Sequence, residues 1–186
     1  MVTGAVLCGG RSRRMGVDKA LLQHDGVVLA ERVARALASG GCDPVVLVGG
    51  DGPALVTATG RAWIADRWPG EGPTGGVLTA LQHTGDDVVV AACDLPDLDA
   101  ATVAALVAAA GHGDVDVVQA VTDRPHLLAW WSAAAVDALA ADWADGVRAV
   151  RDAVARRRAG SLVVAASAVR NVNEPTDLDG HARGRG

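Results

Sequence analysis

The sequence predicts an α/β fold, with a mostly parallel central sheet and helices on both faces. Three observations predict it. Short apolar runs alternate with segments of helical period along the chain. Those runs are nearly continuous, as strands buried on both faces are. Glycine-rich or acidic segments follow several of them, where such sheets carry their ligand-binding loops.

Thr3 to Cys8 predicts a buried strand, followed by a Gly/Arg loop through Asp18. Leu29, Val33, Ala36 and Leu37 recur at helical spacing, and Ser39-Gly40-Gly41 stops that helix. Pro44 to Val48 predicts a second strand, Gly49 to Gly52 a turn, and Pro53 the first turn of a short helix. Arg61 to Ala65 predicts a third strand. Asp66 to Gly76, rich in Gly and Pro, predicts a loop, and Val77 to His83 a helix. Asp87 to Cys93 is the most apolar strand and runs into Asp94-Leu95-Pro96. Ala100 to Ala110 predicts a helix closed by Gly111. Val115 to Val121 and His126 to Trp131 predict two further strands, Ala133 to Ala141 and Val147 to Arg158 helices, and Ser161 to Ala166 a last strand. Asn171 to Asp177 predicts a polar loop. The loops after the strands, Gly9 to Lys19, Gly49 to Gly52, Asp66 to Gly76 and Asp94 to Pro96, are expected to converge on one crevice.

The 186 residues show no internal repeat and no linker, so residues 1–186 are expected to form a single domain. With 50% hydrophobic and 21% charged residues, the composition excludes disorder. A net charge of −5 offers no basic excess for nucleic acid. The absence of Phe and Tyr removes any aromatic ladder for stacking single strands. No apolar run reaches the roughly 18 residues of a membrane span, and the N-terminus lacks the features of a signal peptide. A cytoplasmic protein is expected. Cys8, Cys42 and Cys93 are too few and too scattered for a disulfide framework or a zinc site.

The chemistry concentrates in Leu7-Cys8-Gly9-Gly10-Arg11-Ser12-Arg13-Arg14-Met15-Gly16-Val17-Asp18-Lys19. Glycine lets backbone N–H groups approach an anion, and basic side chains neutralise its charge. Neither the P-loop pattern nor the dinucleotide GxGxxG pattern is present. Of the 17 basic residues only Lys19 is a lysine, so a compact ammonium stands where the chain elsewhere uses Arg. Asp94, at the end of the most apolar strand, suits Mg²⁺, which takes one or two protein carboxylates and completes its shell with phosphate and water. A turn or helix-cap Asp before Pro96 is the structural alternative.

The loop resembles the signature of nucleotidyltransferases, most closely the molybdenum cofactor guanylyltransferase family. That family opens with Leu-Ala-Gly-Gly-x-Ser-x-Arg-Met-Gly, an optional Gly, and x-Asp-Lys. Here Cys8 replaces Ala and the optional Gly is missing. Asp66 with Gly72-Pro73-Thr74-Gly75-Gly76 is similar to the family's Asp…Gly-Pro-Leu-x-Gly, with Thr74 for Leu. Cys93-Asp94-Leu95-Pro96 matches its Asp-x-Pro segment. Asn171-Val172-Asn173-Glu174-Pro175-x-Asp177-Leu178 is similar to its Asn-x-Asn-x-Pro-x-Asp-Leu close. The family's Asn after the second strand has no counterpart in Gly49-Gly50-Asp51.

The resemblance implies a Rossmann-like sheet of the nucleotide-diphospho-sugar transferase type. It implies transfer of GMP from GTP to molybdopterin with release of pyrophosphate, and Mg²⁺ as cofactor. Lys19 is then expected on the triphosphate, Arg14 facing the pyrophosphate, and Asp94 on the metal. Leu7, Cys8, Gly9, Gly10 and Asp66 are expected along the nucleotide, and Asn171, Asn173 and Arg148 on the acceptor side. Transient contact with molybdoenzyme-maturation proteins is also implied. Alternatives stay open for several residues. Arg11 and Arg13 fit a solvated rim equally well. Arg148 also fits a surface helix, and Asn171 and Asn173 a turn before Pro175. Trp130 and Trp131 fit the core better than a pterin stack. Asp97 and Asp99 fit caps of the next helix. Rival readings are CTP or another acceptor on the same fold, and a non-catalytic nucleotide-binding protein.

Overall fold

In the computed structural model, which describes residues 1–9, 18–111, 114–172 and 177, the chain enters through β1 (Val2–Leu7). A 3₁₀ turn at Lys19–Leu21 leads to a small hairpin, β2 (Gln23–His24) and β3 (Val27–Val28). Then follow α1 (Leu29–Ser39), β4 (Val45–Val48), α2 (Gly52–Thr59), β5 (Ala62–Ile64), α3 (Pro73–Thr84), β6 (Asp87–Ala92) and α4 (Ala100–Ala110). The second half adds β7 (Val117–Val121), β8 (Pro125–Trp131), α5 (Val136–Ala144), α6 (Val150–Ala155) and β9 (Ala159–Val163).

The central sheet has the order β5-β4-β1-β6-β8-β7-β9. β8 is antiparallel to both of its neighbours, and every other pairing in this sheet is parallel. The parallel strands β5, β4, β1 and β6 therefore end on one side, and their following loops emerge together.

Side-chain alternation splits the core into two layers. Val6, Val89 and Ala91 pack with Val33 and Leu37 of α1 and Leu106 of α4. Ala5, Leu7, Val88 and Val90 pack with Val77 and Leu81 of α3 and Leu139 of α5. Adjacent on β8, Trp130 joins the first layer and Trp131 the second, at 7% and 1% exposure. Both tryptophans are core residues, which removes the pterin-stacking alternative.

Several boundaries differ from the sequence-based expectation. The loop expected through Gly76 ends at Gly72, because α3 begins at Pro73, a residue suited to the first helical position. Gly76 serves packing there: a Cβ on it would stand 3.1 Å from Leu7 Cδ2. The helix expected over residues 133–141 is a 3₁₀ turn at Ala133–Ala135 followed by α5. The helix expected over residues 147–158 shrinks to α6, because Gly146 turns the chain with φ +87° and the helical span starts only at Val150. The last strand lies slightly earlier than expected, at β9, where it pairs with β7. The β2–β3 hairpin was not anticipated. Its signal was Asp25-Gly26, both with positive φ, as a tight hairpin turn demands.

Candidate active site

The loops after β1, β4, β5 and β6 open onto one cleft of about 940 Å³. Backbone bonds stitch their roots together. Cys8 N donates to Val48 O at 2.9 Å, Cys93 N to Leu7 O at 3.1 Å, and Gly49 N to Ile64 O at 2.9 Å. The expected convergence is what the structure has: Leu7, Cys8, Gly9, Lys19, Asp66 and Asp94 all line the cleft.

Its floor admits only glycine at one corner. Gly50 has φ +73°, and a Cβ there would stand 3.1 Å from both Cys8 Cβ and Cys8 O. Two consecutive glycines thus occupy the place where the resembling family has its Asn, and the backbone itself forms the wall.

Lys19 is held by the residue before it. Asp18 caps the Lys19–Leu21 turn, its Oδ1 accepting from Ala20 N at 3.0 Å. Its Oδ2 accepts from Asp51 N at 3.2 Å, tying this turn to the loop after β4. Lys19 Nζ lies 3.9 Å from Asp94 Oδ2, with 16% and 19% of the two side chains exposed. Burial pushes the Asp94 carboxyl above its ordinary pKa, and the Lys19 ammonium opposes that shift. Asp94 Oδ1 is sealed from solvent and has no hydrogen-bond partner among the described residues.

That orphaned, hard oxygen fits a divalent cation whose remaining ligands come from phosphate and water. The described residues hold no cluster of three or more His, Cys, Asp or Glu able to form a metal cage.

Asp66 stands across the cleft. Its Oδ1 accepts from Trp68 N at 3.0 Å and from the Thr79 hydroxyl at 3.3 Å. Its Oδ2 faces Gly9, where a Cβ would stand 3.8 Å away. One carboxylate oxygen is thus fixed by α3, and the other points towards the loop after β1.

Of the residues expected to meet an acceptor, Asn171 is exposed, and the next residue, Val172, donates its N–H to Asp94 O at 2.9 Å. The returning chain therefore lies against the loop that carries Asp94. Arg148 does not line the cleft. Its guanidinium stacks 3.8 Å from the Trp143 ring centroid, donates to Trp143 O at 2.7 Å, and sits 3.5 Å from Glu71 Oε2. Gly10, Arg11, Arg13, Arg14 and Asn173 lie outside the described residues.

The helix-cap reading holds for Asp99, which accepts from Thr102 N at 2.7 Å. It fails for Asp97, whose carboxylate instead binds Arg170. A cap needs its carboxylate over the first turn of the helix, and Asp97 stands two residues too early to reach it. Sequence reasoning gave no role to Asp18 or Thr79. The first was legible as a capping residue before a helical turn, whereas nothing local marks a helix threonine that meets a carboxylate 13 residues away.

The family described as MobA-like NTP transferase domain matches residues 4–163. Among curated proteins, the molybdenum cofactor guanylyltransferase of Xanthomonas euvesicatoria pv. vesicatoria is 42% identical over 108 residues, covering 57% of this chain and 53% of that protein. The probable molybdenum cofactor guanylyltransferase of Opitutus terrae is 38% identical over 104 residues, covering 54% and 51%. The chain spans about half the length of the curated relatives it matches. The crystal structure of molybdopterin-guanine dinucleotide biosynthesis protein A from Archaeoglobus fulgidus superposes with a TM-score of 0.80 at 27% identity, covering 96% of this chain and 95% of that one.

Proposed function

The chain belongs to the MobA-like NTP transferase domain family, and from that membership we propose that it transfers GMP from GTP to molybdopterin, releasing pyrophosphate. The observation that carries this reading is the Lys19–Asp94 pair at the root of the cleft, with one Asp94 oxygen buried and without a partner among the described residues. The names of the relatives support guanylyl transfer to the molybdenum cofactor.

In this reading an acceptor phosphate oxygen forms a bond to the α-phosphorus of GTP while the bond to the β-phosphate bridging oxygen breaks. Pyrophosphate leaves with that oxygen. Such transfer depends on alignment and charge neutralisation more than on proton movement. Lys19, seated by Asp18, supplies a positive charge to the triphosphate. Asp94 would hold Mg²⁺, which, when bound, neutralises phosphate charge. Arg14 is assigned to the departing pyrophosphate by its place in the motif. Leu7, Cys8, Gly9 and Gly10 bound the nucleotide, and Asp66 offers its cleft-facing oxygen to the paired N–H donors of guanine. Asn171, next to the Val172 that bonds Asp94 O, is assigned to the acceptor, and Asn173 is assigned to it by its place in the motif. Arg148 reaches the acceptor side only by giving up its Trp143 stack and its contact with Glu71.

The test is pyrophosphate release with each of the four NTPs, with and without purified molybdopterin. Release is expected only with GTP and molybdopterin together. Release with CTP in place of GTP overturns the nucleotide assignment, and release with no acceptor dependence overturns the transfer.

A further inference from the structure

The segment that follows β9 returns to the site by a route that local sequence does not explain. Ala168, Val169 and Val172 are buried at 1%, 2% and 0% exposure, so this stretch packs as core. Two polar contacts then straddle Asn171. On one side, Arg170 Nε and Nη2 donate to Asp97 Oδ2 at 3.0 and 2.9 Å, across 73 residues of chain. On the other, Val172 N donates to Asp94 O at 2.9 Å.

Both acceptors belong to one short loop, Asp94-Leu95-Pro96-Asp97. That loop is itself braced. Leu95 is 1% exposed, Leu98 N donates to Leu95 O at 3.2 Å, and Arg32 Nε donates to Pro96 O at 3.2 Å. The returning chain is therefore fixed to the same rigid piece that presents the Asp94 carboxylate. A charge-assisted, two-donor contact is directional as well as attractive, so it sets a register and does not merely add adhesion.

We infer that Arg170 and Asp97 form a clamp that positions the acceptor-side segment at Asp94, which makes both of them positioning residues for the transfer. The inference rests on the molybdopterin reading above. Neither side chain needs to touch substrate. Their work is to keep Asn171, and the chain that continues from it, at a constant distance from the reacting centre. Small displacements there are costly, because reaction rate falls steeply with misalignment.

The experiment compares wild type with Arg170→Ala, Asp97→Ala, and the exchanged pair Arg170→Asp with Asp97→Arg. Hydrogen–deuterium exchange of the peptide spanning residues 166–172 is measured without substrate. Steady-state KM for molybdopterin and for GTP is measured separately. Each single variant is expected to speed exchange in that peptide and to raise the molybdopterin KM about tenfold. The GTP KM stays near wild type, and the exchanged pair recovers both properties in part. Unchanged exchange overturns the clamp. Faster exchange with a wild-type molybdopterin KM overturns the positioning role. A GTP KM that rises in step with the molybdopterin KM reduces the pair to general structure and overturns it too. A wild-type enzyme silent with molybdopterin overturns the acceptor reading, while exchange still decides whether the clamp exists.

Discussion

Lys19 Nζ lies 3.9 Å from Asp94 Oδ2, although the two residues come from loops after different strands, β1 and β6. The strands are adjacent and in parallel register, Leu7 opposite Ala92, so their loops leave the sheet at the same height. The pairing places a cation and a carboxylate at the root of one cleft.

Lys19→Arg keeps the charge but replaces a compact ammonium with a wider planar head. Beside Asp94, 3.9 Å away, that head cannot sit where the ammonium does. Turnover is expected to fall about 100-fold, the scale of a 1 Å misplacement, while GTP binding falls far less. Lys19→Ala is expected to damage both. Isothermal titration with GTP alongside steady-state kinetics separates the two effects, and full activity in Lys19→Arg would show that the ammonium is dispensable.

Asp94→Asn is expected to cut transfer by at least about 100-fold, the scale seen for a single electrostatic group at a reacting centre. Stability moves differently. Burial raises the Asp94 pKa in the folded state, so the folded protein binds more protons than the unfolded chain above the ordinary carboxylate value of about 4. Stability from this group therefore falls as pH rises through that window. In chelator and without nucleotide, wild type should lose Tm relative to Asp94→Asn as pH rises above about 4. The opposite slope would mean that Lys19 outweighs burial.

Thr79→Val preserves shape and removes the hydroxyl that donates to Asp66 Oδ1 and accepts from Arg67 N. Losing one such bond costs about 1 kcal/mol. Nucleotide affinity is expected to fall about fivefold by titration, with a modest loss of Tm. Unchanged affinity would place Asp66 outside the nucleotide contact.

Gly50→Ala forces a Cβ into a left-handed backbone and against Cys8 and Leu55. The backbone strain alone is about 1–2 kcal/mol, which lowers Tm by several degrees. The added methyl also stands in the cleft wall, so GTP affinity should drop with it. A variant with wild-type Tm and affinity would show that this corner is not packed as described.

Much of this was legible in the chain. Continuous apolar runs and helical spacing sufficed to order β1, α1, β4, β5, β6 and α4, because burial on both faces of a sheet imposes those patterns locally. The cleft followed from the same logic, since parallel strands must end together. Other features had no local signature. The insertion of β8 between β6 and β7 is a choice of pairing partner, and the apolar pattern of His126 to Trp131 is compatible with either strand direction.

Asp97 and Asp99 show where sequence ends. Both precede a helix, and both are carboxylates of the capping type. The chain by itself determined the fold class, the order of its elements and the loops that meet at Lys19 and Asp94. Only the tertiary structure decided that Asp99 caps α4 while Asp97 takes Arg170. It also decided that Arg148 stacks on Trp143 and that Asp66 leans on Thr79. The physical reason is range. Periodicity and capping act over a few residues and are written in the local sequence, whereas a side chain's distant partner is set by how the packed layers bring remote segments together.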